Sequence, residues 1–460
     1  MRYFLPVWVV LFFSACGIFN SAPERPQRTK PSREYPRVEE KKTETPEEED
    51  LTVEDESEDP APLLDSITTT LDEDTSQYRK KDKYSLQLIL PLVPRNEGGL
   101  IQEKESDGEA KNEVENEKLL PFNVHFIDYL SGFRLAMQKA RENYPDFNFR
   151  LHVKSSGDLD ALISDSMSWV LSPEPDVIIG GIRPESVDQL TSLSAKHNIY
   201  YISPWINSTP YSDNPLFLQL TPGLEEYCHF IADHVSRDSS APILTLISSP
   251  EFSERLKIFT DYLDREYPFF TYQTWIVDDY FEEDKEAVEL PDWMQVDAPQ
   301  AVVLAMDRNE SYLYDALSYL SENQDLQIDI YGFSSWRNFP LLYEFFENGN
   351  IHLVSHTIPF HTDSTYLQFE ETYFDAYAGL PSSWAVKGYD HGMFIASGLS
   401  QFGLDFYAYL DQVSYEGVQL FFKFPPQLDE HIEGIPLLPL KNHGVKLLNY
   451  EDHIFRPENE

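Results

Sequence analysis

The sequence predicts an α/β protein built as two doubly wound, parallel-sheet lobes. Short apolar, β-branched runs alternate with amphipathic helical segments along most of the chain, the pattern of parallel sheets flanked by helices. These runs outnumber the strands of one sheet of ordinary size. The length of 460 residues also favours more than one core.

The clearest unit lies in residues 174–210. Asp176-Val177-Ile178-Ile179 is a short apolar run that ends in Gly180-Gly181. Ile182 to Glu185 reads as a turn, Ser186 to His197 as a helix, and Ile199 to Ile202 as a second strand ending in Ser203-Pro204. Strand, Gly-rich turn, helix and strand make a βαβ unit, which requires a parallel sheet. Ligands of such sheets bind beyond the carboxyl ends of the strands. Here those ends are Gly181 to Arg183 and Pro204 to Thr209.

The other elements follow in order. Met1-Arg2 and the apolar run Tyr3 to Phe13 read as an export signal, because a dozen residues are too few for the ~20 that span a bilayer. Residues 16–82 are rich in Pro, Ser, Thr and blocks such as Glu47-Glu48-Glu49-Asp50. With few apolar groups to offset the entropy of ordering, they are expected to be a disordered, extended linker reaching ~45 Å on average. Tyr84 to Pro94 is apolar and branched, a buried first strand. Residues 95–118 form a polar insertion, either a flap over the ligand site or a plain loop. Val124 to Tyr144 is a helix whose apolar face holds Phe126, Ile127, Leu130, Phe133, Leu135 and Met137. Phe147 to Val153 alternates as a strand and Asp158 to Leu171 reads as a helix.

Beyond the central unit, helices are expected at Pro222–Val235, Ser253–Tyr267, Tyr312–Gln324, Asn338–Glu347, Tyr366–Tyr377 and Val386–Phe402. Strands are expected at Pro242–Ile247, Phe270–Val277, Ala301–Met306, Gln327–Gly332 and Ile351–Ile358.

Composition narrows the function. A formal net charge of −44 makes nucleic acid an unsuitable partner, since its phosphates would be repelled. Two cysteines cannot build a disulfide framework. His352, His356 and His361 lack the spacing that fixes a metal. Without a GxSxG elbow, a P-loop or HExxH, the sequence points to neither an enzyme nor a cofactor.

Two resemblances add to this reading. Phe13-Ser14-Ala15-Cys16 resembles the lipobox of bacterial lipoproteins, which implies cleavage before Cys16 and lipidation of that cysteine. The alternative is an ordinary signal peptide beside an incidental cysteine. Gly17 in place of aspartate favours the outer membrane over the inner, by analogy with lipoprotein sorting.

The second covers Lys83 to Tyr450. It rests on Tyr84 to Leu92, on Ile179-Gly180 with Ile202-Ser203-Pro204, and on Phe369 to Tyr377 with Gly379, Pro381 and Gly388-Tyr389-Asp390. Gly417 to Phe422 and Asn442-His443-Gly444-Val445 resemble closing strands. Together they resemble the type I periplasmic binding fold, and within it the leucine/isoleucine/valine-type substrate-binding proteins of ABC importers. The resemblance implies one lobe from 84–220 and 356–412, a second from 221–355 and 413–460, a hinge of three crossovers, and a small ligand held between the lobes as they close.

It also implies a ligand site. The first lobe would supply Gly181, Arg183, Ser186, Ile206 and Asn207, and the second Phe252, Asp307 and Ser334. Ser334 stands where the family carries a carboxylate for the ligand's ammonium. A buried ammonium needs a paired anion, and Asp307, one strand away, is the candidate replacement. Arg183 is either an anchor for an anion or a surface residue paired with Glu185. Trp205 and Trp336 are either cleft walls or packing.

Two function classes follow. One is an envelope lipoprotein that binds a small polar ligand of amino acid or amide type and presents it to an ABC permease. The other is a scaffold or activator lipoprotein, resembling activators of peptidoglycan synthases, that uses the fold to bind a protein partner.

Overall fold

The computed structural model describes residues 78–92, 121–156, 167–207, 214–237, 243–277, 294, 298–322, 328–348, 350–357, 364–413, 415–426, 431–432, 435–436 and 440–449. The export signal, the lipidation site at Cys16, the linker as far as residue 77, the 95–118 insertion and most of the expected helix at 158–171 lie outside the described residues.

The first half runs β1 (Tyr84–Leu90), α1 (Pro121–Asn143), β2 (Phe149–Ser155), β3 (Val177–Ile179), α2 (Pro184–His197), β4 (Tyr200–Ser203) and β5 (Phe217–Gln219). The second runs α3 (Leu224–Arg237), β6 (Ile243–Ser248), α4 (Ser253–Glu266), β7 (Tyr272–Ile276), β8 (Gln300–Leu304), α5 (Glu310–Glu322), β9 (Ile328–Phe333), α6 (Tyr343–Asn348) and β10 (Ile351–Ser355). Helices α7 (Ser364–Tyr377) and α8 (Ser383–Phe402) follow, then a small hairpin of β11 (His431–Ile432) and β12 (Ile435–Pro436), and finally β13 (Leu440–Lys441) and β14 (Lys446–Asn449).

Two six-stranded sheets result, ordered β13-β5-β4-β3-β1-β2 and β14-β10-β9-β8-β6-β7. Every pairing in them is parallel except β14 on β10, at an edge. Each sheet contains a 2-1-3-4-5 order, whose switch points lie between β1 and β3 and between β6 and β8. The expected two doubly wound lobes are therefore the observed architecture.

The tail divides between them. Residues 413–460 were assigned to the second lobe from the sequence, but β13 pairs with β5 of the first sheet and β14 with β10 of the second. Asn442 to Val445 is the crossover between β13 and β14 rather than a strand, and in the 417–422 stretch Leu420 makes an isolated bridge to Thr357.

The first lobe's core shows how strand alternation builds two layers. Leu86, Leu88 and Leu90 of β1 face α1 and α8, where Tyr129, Phe133, Phe394 and Leu399 are buried. Ile89, Ile178 and Tyr201 point to the other face, against Val187 and Leu190 of α2. Helix α8 is buried on nearly all sides, including Ala385, Gly388, Met393, Ile395, Ala396 and Leu399, as its apolar composition demands. It meets α1 at backbone distance. A Cβ on Gly132 would lie 1.8 Å from the Ala385 carbonyl oxygen, and one on Gly388 would lie 2.1 Å from that of Tyr129.

The fold begins before β1. The linker expected to run to Asp82 ends earlier, because residues 78–82 belong to the first lobe. Tyr78 packs edge-on against Phe402 and Tyr409, with ring centres 5.3 Å from each. Arg79 pairs with Asp405 and donates to the Tyr200 hydroxyl at 2.9 Å, while Lys81 pairs with Asp176. Composition alone does not reveal this short aromatic-basic clamp, because two residues decide it within a charged stretch.

Three crossovers join the sheets: β5 to α3, β10 to α7, and β13 to β14. Asn442, fully buried, ties them together. Its side chain donates to the carbonyls of Leu220 (2.9 Å) and Phe421 (2.7 Å) and accepts from the N–H groups of Lys423 and Gly444, both at 2.8 Å. Phe421 in turn donates to the His356 carbonyl at 3.2 Å. Buried Asp390 of α8 holds the adjoining stretch through N–H groups of Val418 (2.7 Å), Gln419 and Leu420 (both 2.9 Å) and the Tyr415 hydroxyl (3.0 Å).

Candidate functional site

In the first lobe the site residues gather at the carboxyl ends of β3 and β4, which are adjacent strands. Gly181 has φ +85°, and a Cβ there would stand 2.6 Å from the Tyr201 hydroxyl, so both conformation and space require glycine. That hydroxyl donates to the Gly180 carbonyl at 3.1 Å. Arg183, with φ −129° and ψ 150°, precedes α2, and Pro184 occupies the first helical turn without needing a donor. The helix thus begins at Pro184, earlier than expected. Arg183 and Glu185 are exposed and Ser186 is buried. Beyond β4, Ile206 is half-buried and Asn207 exposed. Trp205 packs edge-on against Tyr129 at 4.9 Å and Phe126 at 5.4 Å.

In the second lobe Phe252, Asp307 and Ser334 follow β6, β8 and β9, again neighbours in one sheet. The eight residues assigned from sequence thus follow the carboxyl ends of strands in the two sheets, and those after β3, β6 and β8 flank the switch points. Phe252 is buried, with the Arg255 guanidinium 4.7 Å and that of Arg308 6.0 Å from its ring centre. Ser334 opens a short 3-10 turn. Trp336 is core: it is fully buried, donates from Nε1 to the Met306 carbonyl at 2.7 Å and fills the space beside Gly332.

Asp307 is engaged by basic groups. Its carboxylate pairs with Arg255, itself 8% exposed, and lies 3.4 Å from Arg308. A ligand ammonium would compete with an arginine already in place, and withdrawing Asp307 would leave a buried guanidinium uncompensated. Sequence reading identified the aspartate but not its partners, because the pairing joins the end of β8 to the first turn of α4.

A second group of polar side chains lies where α1 and α8 of the first lobe meet the second crossover and α3. His356, just past β10, sits with Nδ1 2.5 Å from the Tyr227 hydroxyl of α3. His391 of α8 sits with Nδ1 3.1 Å from the Tyr129 hydroxyl of α1. Lys387 lies one turn before His391, its ammonium 5.4 Å from the Trp384 ring centre. Burial, reinforced by Lys387, pushes His356 and His391 down to about 3, and burial lowers Lys387 as well. The Trp384, Lys387, His391 spacing marks one helix face in the sequence, but nothing local shows that it meets His356. His352 is separate: it stacks on Tyr331 at 4.9 Å and lies 3.7 Å from Asp329. Among the described residues no group of three or more His, Cys, Asp or Glu is placed to hold a metal ion.

These shifts make the fold acid-sensitive. The two histidines are neutral in the native state and charge near 6.5 when unfolded, so the stability they contribute is present above that value. It is lost as pH falls from there towards about 3. Between pH 7 and 5 this amounts to about 4 kcal/mol for the pair. Asp390 works in the opposite sense: burial raises it to about 6, so native-state protonation returns about 1 kcal/mol over the same window. A net loss of about 3 kcal/mol is expected in denaturant titrations at the two pH values. A flat profile would mean that these histidines are hydrated.

A cavity of about 780 Å³ lies elsewhere, along α1 and β2, with Lys83, Arg134, Arg141 and Arg150 among its lining. Among the described residues no helix is long and apolar enough to cross a membrane.

No protein-family model matches the chain, and no curated protein sequence matches it. Solved structures do. A branched-chain amino acid ABC transporter protein from Rhodospirillum rubrum superposes with a TM-score of 0.55 at 14% identity, over 80% of this chain and 97% of that one. An ABC transporter substrate-binding protein from Desulfitobacterium hafniense gives 0.48 at 13% identity, over 82% and 98%. A substrate-binding protein of the same organism, in complex with leucine, gives 0.46 at 14%, over 79% and 96%. The chain has the type I periplasmic binding fold.

Proposed function

We propose that this protein is a solute receptor of the bacterial cell envelope that holds a small polar ligand between its lobes and hands it to an ABC permease. The observation that carries this reading is the placement of Gly181, Ser186 and Asn207 after strands of one sheet and of Phe252, Asp307 and Ser334 after strands of the other, at the carboxyl edges, with three crossovers joining the sheets. The fold shared with the Rhodospirillum rubrum protein supports it. Export and lipidation at Cys16, with an outer-membrane address, complete the reading; in it the acidic stretch is a tether and the protein performs no catalysis.

Thermal unfolding of the purified full chain against amino acids, amides, carboxylates and sugars tests the proposal. A ligand at ~100 times its dissociation constant stabilises the native state by about 2.7 kcal/mol, which raises the midpoint by roughly 2–4 °C in a chain of this size. A selective shift is expected. The engagement of Asp307 by Arg255 and Arg308 favours a second reading, in which no ammonium-bearing ligand enters and the surface serves a protein partner of the envelope. Silence across the whole panel would move the assignment there.

A further inference from the structure

At one edge of the first sheet a groove runs between β2 and α1. Among the described residues β2 pairs with β1 alone. Tyr84 donates to the Asn148 carbonyl at 2.9 Å, and Ser156 donates to that of Leu90 at 2.8 Å, so positions 148 and 156 turn their backbone groups towards β1. Strand alternation turns those of Arg150, His152 and Lys154 the same way, and those of Phe149, Leu151 and Val153 outward. The outward groups of these three make no hydrogen bond among the described residues. An edge of this kind is a template for one more strand.

The side chains define what that strand would carry. The cavity of about 780 Å³ beside this edge has Lys83, Arg134, Arg141 and Arg150 in its lining and no carboxylate. Arg134 and Arg141 stand two turns apart on one face of α1, about 10 Å along its axis. Arg141 lies 4.5 Å from the Phe149 ring centre and so joins helix to strand. Lys83, Arg134 and Arg150 are exposed and make no ion pair among the described residues. Leu130, Leu151 and Val153 form an apolar floor between them, and Val153 is 40% exposed. On the other face of β2, Arg150, His152 and Lys154 form a basic row, and burial with Arg150 and Lys154 alongside pushes His152 below its usual value. All this basic surface lies in a chain whose 79 acidic residues outnumber its 35 Lys and Arg.

We propose that this groove binds an extended, acidic peptide segment of a protein partner, which adds to β2 as a further strand. Main-chain bonds to Phe149, Leu151 and Val153 give it affinity, and the flanking cations select carboxylates at alternate positions. Arginine suits this role because its planar fork grips a carboxylate with two parallel bonds. A second copy of β2 is a poor occupant, since its basic row would face the same row here and like charges opposite one another are destabilising. The groove lies along the side of the sheet, apart from the carboxyl edge where the candidate solute site lies, so the two can be occupied independently.

The test titrates the full chain into a labelled, acetylated nine-residue peptide of alternating Glu and Val, read by fluorescence anisotropy. Saturable binding that weakens with added salt is expected. The same peptide with Gln for every Glu, and the acidic peptide N-methylated at every second residue, are each expected to bind at least tenfold more weakly. The first loses its charge and the second its strand-pairing edge. Val153→Pro removes an outward N–H while leaving the bonds to β1 and every charge in place, so it should keep the parent's melting midpoint and lose tenfold or more in affinity. The double variant Arg134→Gln with Arg150→Gln changes only exposed side chains and should lose as much, which keeps the test decisive if Val153→Pro misfolds. No binding of the acidic peptide would overturn the proposal, as would equal binding of the Gln or N-methylated peptide, or affinity within twofold of the parent in the double variant. Capture by phosphatidylglycerol vesicles without peptide binding, lost in the double variant, would overturn it in favour of a lipid surface. None of these results bears on the solute-receptor reading, which the thermal-shift panel tests separately.

Discussion

Asn442→Ala is expected to lower the unfolding free energy by about 4 kcal/mol, a large fraction of the stability of an ordinary domain. The side chain is fully buried and serves four backbone groups: the carbonyls of Leu220 and Phe421 and the N–H groups of Lys423 and Gly444. Alanine removes all four bonds and leaves no room for several waters to replace them, and each buried group left unpaired costs roughly 1–3 kcal/mol. Exposure of Lys423 to solvent moderates the total. The bonded groups lie in two crossovers and in the strap that crosses them, so the variant should also open the hinge before the sheets melt. Hydrogen exchange at residues 420–423 and 442–445 would show faster opening than in β3 or β8. A variant of parental stability would mean that the crossovers hold together without this side chain.

Gly388→Val is expected to cost 3 kcal/mol or more, about the upper end of the range for overpacking, and to reduce soluble yield accordingly. The added Cβ would start 2.1 Å from the Tyr129 carbonyl oxygen, and Gly132 creates the reciprocal approach of α1 to Ala385. Both obstructions are backbone, so no rotamer change relieves them. Separating the helices would also disturb the Tyr129–His391 contact and the aromatic layer around Phe133 and Phe394. Chemical denaturation of the variant provides the measurement. A loss under 1 kcal/mol would show that the helices slide apart cheaply.

The sequence made the layers legible because burial leaves a periodic trace. Leu86, Leu88 and Leu90 alternate as a strand must, and the apolar stripe of α1 from Phe126 to Met137 repeats as a packed helix must. Gly180-Gly181 marked a strand end whose geometry only glycine accepts at the second position. What escaped is what sequence distance hides. Strand β5 has three residues and β13 two, too few for a period, and each exists because a neighbouring strand offers a free edge. Asp307 stood out as an acid at a strand end, but its pairing with Arg255 depends on the end of β8 meeting the first turn of α4. His356 and His391 are 35 positions apart, and Lys387 acts on both because α8 returns to the first lobe after β10 completes the second. The clamp of Tyr78 and Arg79 lay at the end of a stretch whose composition otherwise resisted folding.

That clamp has a mechanical side. Tension arriving along the chain from its amino-terminal end enters the fold at Tyr78, where Phe402, Tyr409, Asp405 and Tyr200 receive it, all in the first lobe. The load therefore bypasses the crossovers, and the second lobe carries none of it. A force entering there restrains the molecule through one lobe alone and does not pull the two sheets apart.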